Sequence, residues 1–136
     1  MNLTGLFIYI YLILITQALN YCKIKSNLIV PCYGITKFPD NDGNYAMVLG
    51  YVSGGNLRDY LRNNHSKLTL KNRTAILRSL CSSLYWIHEK DLIHCDLHSG
   101  NMLIQAGRCF ITDLELCRPV MIISLSLNNY YDYHYY

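Results

Sequence analysis

Apolar and polar positions alternate with a strand-like period in some stretches of this chain and a helix-like period in others, and one long stretch is apolar throughout. Leu28 to Tyr33, LIVPCY, predicts a strand, with Pro31 marking an edge or bulge because proline has no N–H to give a ladder. Phe38-Pro39-Asp40-Asn41-Asp42-Gly43 is dense in turn formers, and Asn44 to Leu49 alternates as a second strand, so the two should form a hairpin. The amphipathic LRDYLRNN starting at Leu57 predicts a short helix capped by Asn56. Thr69 is a good cap for a longer helix reaching about Lys90, whose Ile76, Leu77, Leu80, Cys81, Leu84, Ile87 and His88 recur at i, i+3, i+4. Within it, Tyr85 and Trp86 read as packing residues. Met102-Leu103-Ile104 and Cys109-Phe110-Ile111-Thr112 bracket Gln105-Ala106-Gly107-Arg108, a reversal that predicts a second hairpin.

The apolar stretch is Leu3 to Leu19, an uncharged run of 17 residues at the short end of what spans a bilayer. As a signal segment it lacks a basic start, although Thr16-Gln17-Ala18 would serve as a cleavage site. As a membrane anchor, Lys23 and Lys25 would keep the remainder on the cytosolic side. Both chain ends are also rich in Ile, Leu, Tyr and Asn, residues with A/T-rich codons, as translated non-coding sequence would be. Length and hydropathy leave all three readings open for residues 1–25. At the other end, residues 120–136 crowd Tyr130, Tyr131, Tyr133, Tyr135 and Tyr136 and read as a disordered tail, with tyrosine phosphorylation as the alternative.

Length and composition narrow this to one small domain: 136 residues, 51% hydrophobic, too apolar for a disordered chain. The 12 basic and 9 acidic residues form no basic stripe, so nucleic-acid binding is not expected. Six cysteines without a C-x-x-C pair suit reduced cytosolic thiols, and no spacing demands a zinc site at Cys95, His98 and Cys109.

The chemistry concentrates in His94-Cys95-Asp96-Leu97-His98-Ser99-Gly100-Asn101, followed twelve residues after Asn101 by Asp113-Leu114-Glu115. These resemble the H-R-D-L-x-x-x-N catalytic loop and the D-F-G triplet of the protein kinase family, in its tyrosine-kinase-like branch. Residues 26–119 carry the resemblance, which implies an α+β fold: part of a kinase domain made of a small-lobe hairpin, a hinge, two large-lobe helices, the catalytic loop and a strand pair. It implies ATP and Mg2+ as cofactors and transfer of the ATP γ-phosphoryl group to Ser, Thr or Tyr hydroxyls of a protein substrate. By the same resemblance Asp96 accepts the substrate's proton, and Asn101 and Asp113 hold the metal. Leu49 gates the adenine pocket, Tyr51 and Val52 belong to the hinge, Asn56 touches the ribose, Leu103 lies under the base, and His98 stands where many members have a phosphate-contacting lysine.

Three departures from the pattern, Cys95 for arginine, Glu115 for glycine and His98 for lysine, weaken this setting. At Glu115 a side chain in a glycine conformation would cost about 1–3 kcal/mol. The chain contains no G-x-G-x-x-G, V-A-I-K or A-P-E motif. The expectation is a kinase domain truncated at both ends and inactive alone. The alternatives are a pseudokinase that docks a protein partner on an unpaired Ile76/Leu80/Leu84 helix face, or a non-functional fragment. The expected location is the cytoplasm, or the cytosolic face of a membrane if residues 3–19 are an anchor.

Overall fold

The computed structural model describes residues 3–37 and 44–121. The elements are α1 (Leu3–Lys23), β1 (Cys32–Lys37), β2 (Tyr45–Leu49), α2 (Leu57–Asn64), α3 (Leu70–His88), β3 (Leu92–Ile93), β4 (Met102–Gln105), β5 (Arg108–Ile111) and β6 (Arg118–Pro119). The strands pair antiparallel as β1–β2, β3–β6 and β4–β5, so the chain is α+β. The turn expected at Phe38–Gly43 and the tyrosine-rich end lie outside the described residues.

Both helix starts follow from their caps. The Asn56 side chain accepts the Asp59 N–H at 2.9 Å, and Thr69 with Asn72 forms a reciprocal capping box at the start of α3. The first strand begins later than its apolar run suggests. Residues 28–30 leave the hairpin and run beside β5 instead, where Val30 N–H donates to Ile111 O at 2.9 Å and Ile111 N–H to Leu28 O at 3.1 Å. Pro31, lacking a donor, is where the chain passes from one sheet to the other.

Two apolar clusters meet at α3. One joins Tyr21, Ile24, Ile29, Ile87, Leu92, Ile111, Leu114 and Cys117; the other joins Leu57, Ile76, Met102, Ile104 and Cys109, with Leu80 packed against both. The stripe Ile76/Leu80/Leu84 is therefore not an open docking face. Ile76 is buried, Leu80 and Leu84 pack on the clusters, and the exposed large residues of α3 are Leu70, Leu77, Tyr85 and Trp86. Tyr85 and Trp86, read as packing residues, pack edge to face on each other at the surface. The helix approaches β5 through serines that apolar periodicity overlooks. Ser79 Oγ accepts the Cys109 N–H at 2.8 Å, and Ser83 Oγ lies 2.9 Å from Leu28 O. A serine that bonds its own helix backbone hides its polarity and leaves room for a close-lying strand.

The β4–β5 reversal places Ala106 at φ 49° and Gly107 at φ 72°, both left-handed as a two-residue hairpin loop requires. Alanine is costly there. Ala106→Asn, which creates the favoured Asn-Gly pair, should raise stability by about 1 kcal/mol, read as an upward shift of the urea midpoint.

The apolar N-terminal run is a helix whose inner face, from residue 17 on, is polar. Gln17, Asn20 and Tyr21 are buried together with Ile24, while Leu12, Ile15 and Leu19 face outward. Among the described residues no helix is long and apolar enough to cross a membrane, so the anchor reading of residues 3–19 gains no support.

Candidate active site

The loop after β3 is folded by its own side chains. His94 is buried, its Nδ1 accepting the Asp96 N–H at 3.3 Å and its Nε2 lying 3.1 Å from Thr112 O. A ring that accepts at Nδ1 carries its hydrogen on Nε2, so His94 donates to the strand end preceding Asp113. Cys95, at φ 63°, takes the left-handed turn that aims Asp96 outward. Asn101 closes the loop: its Nδ2 reaches Asp96 O at 3.1 Å and Asp96 Oδ2 at 3.2 Å, and its backbone O accepts the Thr112 N–H at 3.0 Å. With its Nδ2 turned toward Asp96, Asn101 presents its Oδ1 away from that carboxylate.

Asp113 follows directly from the residue that binds Asn101. It sits at φ 61°, so the left-handed backbone is at Asp113, whereas Glu115 takes an ordinary conformation. The strain expected at Glu115 from its side chain does not arise. The Asp113 N–H donates to Tyr21 Oη at 3.0 Å, and its Oδ1 accepts from Gln17 Nε2 at 3.3 Å. Asn20 Nδ2 donates to Leu114 O at 3.0 Å and lies 3.5 Å from Cys117 O. Sequence reasoning missed these residues. The signal was present, since Gln17, Asn20 and Tyr21 are polar positions at i, i+3, i+4 in an otherwise apolar run.

His98 lies back on the loop. Its Nδ1 accepts the Gly100 N–H at 3.0 Å, and its Nε2 is 3.6 Å from Asp96 Oδ2. The ring thus neighbours the carboxylate of Asp96, with one nitrogen already engaged.

The connection from β2 to α2 is seated by two glycines. Gly50 N–H donates to Pro31 O at 2.7 Å, and a Cβ on Gly50 would come within 2.6 Å of the Pro31 ring. The Pro31 ring occupies the space any side chain at residue 50 would take. A Cβ on Gly54 would fall 1.9 Å from Ile104 O, so only glycine lets this segment lie against β4, where Gly55 O accepts the Ile104 N–H at 2.9 Å. Asn56 bridges to Leu103, which pairs with Phe110 across the second hairpin. A hollow of about 400 Å³ is lined by Tyr51 and Val52 together with Pro31, Gly50, Gln105 and Phe110. Leu49, Asn56, Leu103 and His98 do not line it. Tyr51 is 88% exposed, Val52 is buried, and Leu49 ends β2 opposite Cys32.

Could these residues hold a divalent cation? Among the described residues no three His, Cys, Asp or Glu cluster. Mg2+ needs no such cage, since one or two protein oxygens plus phosphate oxygens and water complete its octahedron. The Asn101 Oδ1 and the Asp113 carboxylate, on residues joined through Thr112, fit that requirement.

Comparison with known proteins shows the family. Residues 13–130 match the family model described as protein tyrosine and serine/threonine kinase. The chain is 34% identical over 83 residues to the serine/threonine-protein kinase CLA4 of Saccharomyces cerevisiae, covering 56% of this chain and 10% of that protein. It is 32% identical over 74 residues to the dual specificity protein kinase zakA of Dictyostelium discoideum, covering 53% and 10%. It is 34% identical over 84 residues to a probable receptor-like protein kinase of Arabidopsis thaliana, covering 59% and 23%. The chain thus spans about a tenth to a quarter of the length of these relatives. Its loop, strand pair and matched residues make it a member of the protein tyrosine and serine/threonine kinase family.

Proposed function

We propose that this chain carries the nucleotide- and metal-facing part of a kinase centre that transfers the ATP γ-phosphoryl group to a protein hydroxyl. The observation that carries the reading is the Asn101 side chain, which joins Asp96 on one side while its backbone holds the strand end leading to Asp113 on the other. In this reading Asp96, outward and half-exposed, accepts the proton of the attacking hydroxyl. Asn101 Oδ1 and the Asp113 carboxylate hold Mg2+, which when bound neutralises charge on the moving phosphoryl group. Leu49, the backbone of Tyr51 and Val52, Asn56 and Leu103 receive adenine and ribose. His98, with Nδ1 engaged by Gly100, acts on phosphate only through Nε2, which it shares with Asp96.

The chain contains no glycine-rich motif or anchoring lysine to clamp the phosphates, and positioning supplies most of the catalysis of this reaction. Nucleotide and metal binding without measurable turnover is the expected behaviour of the chain by itself. Binding of ADP with Mn2+, followed by the loss of the free-ion paramagnetic resonance signal, should occur in the wild type and fall at least tenfold in Asp113→Asn. Equal binding by both overturns the metal assignment. Phosphorylation of a generic protein substrate above the level of Asp96→Ala would overturn the claim of inactivity.

A further inference from the structure

We propose that α1 positions the metal-holding carboxylate, with Gln17, Asn20 and Tyr21 acting together as positioning residues for Asp113; the inference rests on the reading of Asp113 given above. Each of the three bonds a different atom of the segment 112–117. Gln17 takes Asp113 Oδ1, Tyr21 takes the Asp113 N–H and lies 3.1 Å from Thr112 Oγ1, and Asn20 takes the carbonyls of Leu114 and Cys117. Together they fix the backbone on both sides of Asp113 and one oxygen of its side chain.

The placement is costly unless these hydrogen bonds are made, which ties α1 to this segment. Gln17 and Asn20 are 9% and 4% exposed, and burying an amide is unfavourable without directed hydrogen bonds. Asp113 itself holds a left-handed φ of 61°, a conformation that persists in a non-glycine residue only when its surroundings dictate it. Gln17 is a neutral donor and engages Oδ1 alone; no described residue donates to Oδ2. The carboxylate therefore keeps one oxygen for a cation, with its rotamer set from α1. No described lysine or arginine pairs with Asp113, so the orientation comes from amide and phenol groups and not from an ion pair.

The test uses the full chain with ADP and Mn2+ as the probe. Gln17→Met keeps the length and removes the donor; it should weaken Mn2+ binding about tenfold, as loss of an outer-shell partner does, with the thermal midpoint little changed. Tyr21→Phe removes the acceptor for the Asp113 amide, whose hydrogen exchange should quicken at least tenfold while that of Ile111 stays as in the wild type. Unaltered Mn2+ binding in Gln17→Met, in a protein where Asp113→Asn abolishes it, overturns the positioning role and leaves the metal assignment standing. If the wild type binds no Mn2+, the metal assignment falls. The positioning of Asp113 is then decided by the amide: unchanged exchange in Tyr21→Phe overturns it, and faster exchange supports it.

Discussion

Truncating Leu114 to alanine should lower the unfolding free energy by about 2–5 kcal/mol, the cost of emptying a fully buried leucine site. Leu114 is wholly inaccessible, enclosed by Tyr21, Ile24, Ile29, Ile87, Leu92, Ile111 and Cys117. Those residues come from α1, α3, β3 and β5, from the segment between α1 and β1 and from the segment before β6, so no single element can move to fill the space. Its carbonyl also accepts from Asn20, which ties the loss of packing to the seat of α1. A domain of this kind is stable by only about 5–15 kcal/mol, so the variant would stand near the edge of folding. Leu77→Ala provides the contrast: its side chain is 59% exposed on the same α3, and the change should cost less than about 0.5 kcal/mol. Urea titration of both variants reads the difference. Equal midpoints would show that the residue after Asp113 is not part of the core.

What the amino-acid order reveals about this chain is mostly what neighbouring residues decide between themselves. Asn56 and Thr69 announce their helices because a cap bonds a backbone group three residues on. The β4–β5 reversal announces itself through Gly107. The loop from His94 to Asn101 is legible for the same reason, since its bonds run from His94 to Asp96, from His98 to Gly100 and from Asn101 back to Asp96. Features that depend on a distant partner stay hidden. Gly50 shows no reason to be glycine until Pro31 is found against it, and Ser79 and Ser83 look like breaks in an apolar stripe until Cys109 and Leu28 arrive beside them. The first helix is the largest such case. Hydropathy suggested a membrane or a leader for residues 3–19, whereas the bonds that seat the helix reach more than ninety residues along the chain, from Gln17 to Asp113 and from Asn20 to Leu114.

Alkaline pH should unfold the chain through its buried thiols. Burial pushes Cys109 up to about 11, and Cys117 up to about 12, the latter aided by the nearby Cys95 and Asp113. An exposed thiol in the unfolded chain ionises near 9.0. Below that value both states keep their protons and stability is independent of these groups. Above it the unfolded chain releases two protons that the folded chain retains, so stability falls as pH rises, until the folded thiols ionise at about 11 and 12. The slope from two such groups is on the order of 3 kcal/mol per pH unit. Tyr21 acts in the same direction at still higher pH, because burial outweighs its hydrogen bonds and raises its phenol. Denaturant unfolding at pH 8, 9, 10 and 10.5 should therefore show a steep loss of stability above about pH 9. The double variant Cys109→Ala/Cys117→Ala, less stable at pH 8 through lost packing, should show a much shallower slope. A slope equal to that of the wild type would remove the two thiols as its cause, since the comparison depends on the pH dependence and not on the absolute stability of either protein.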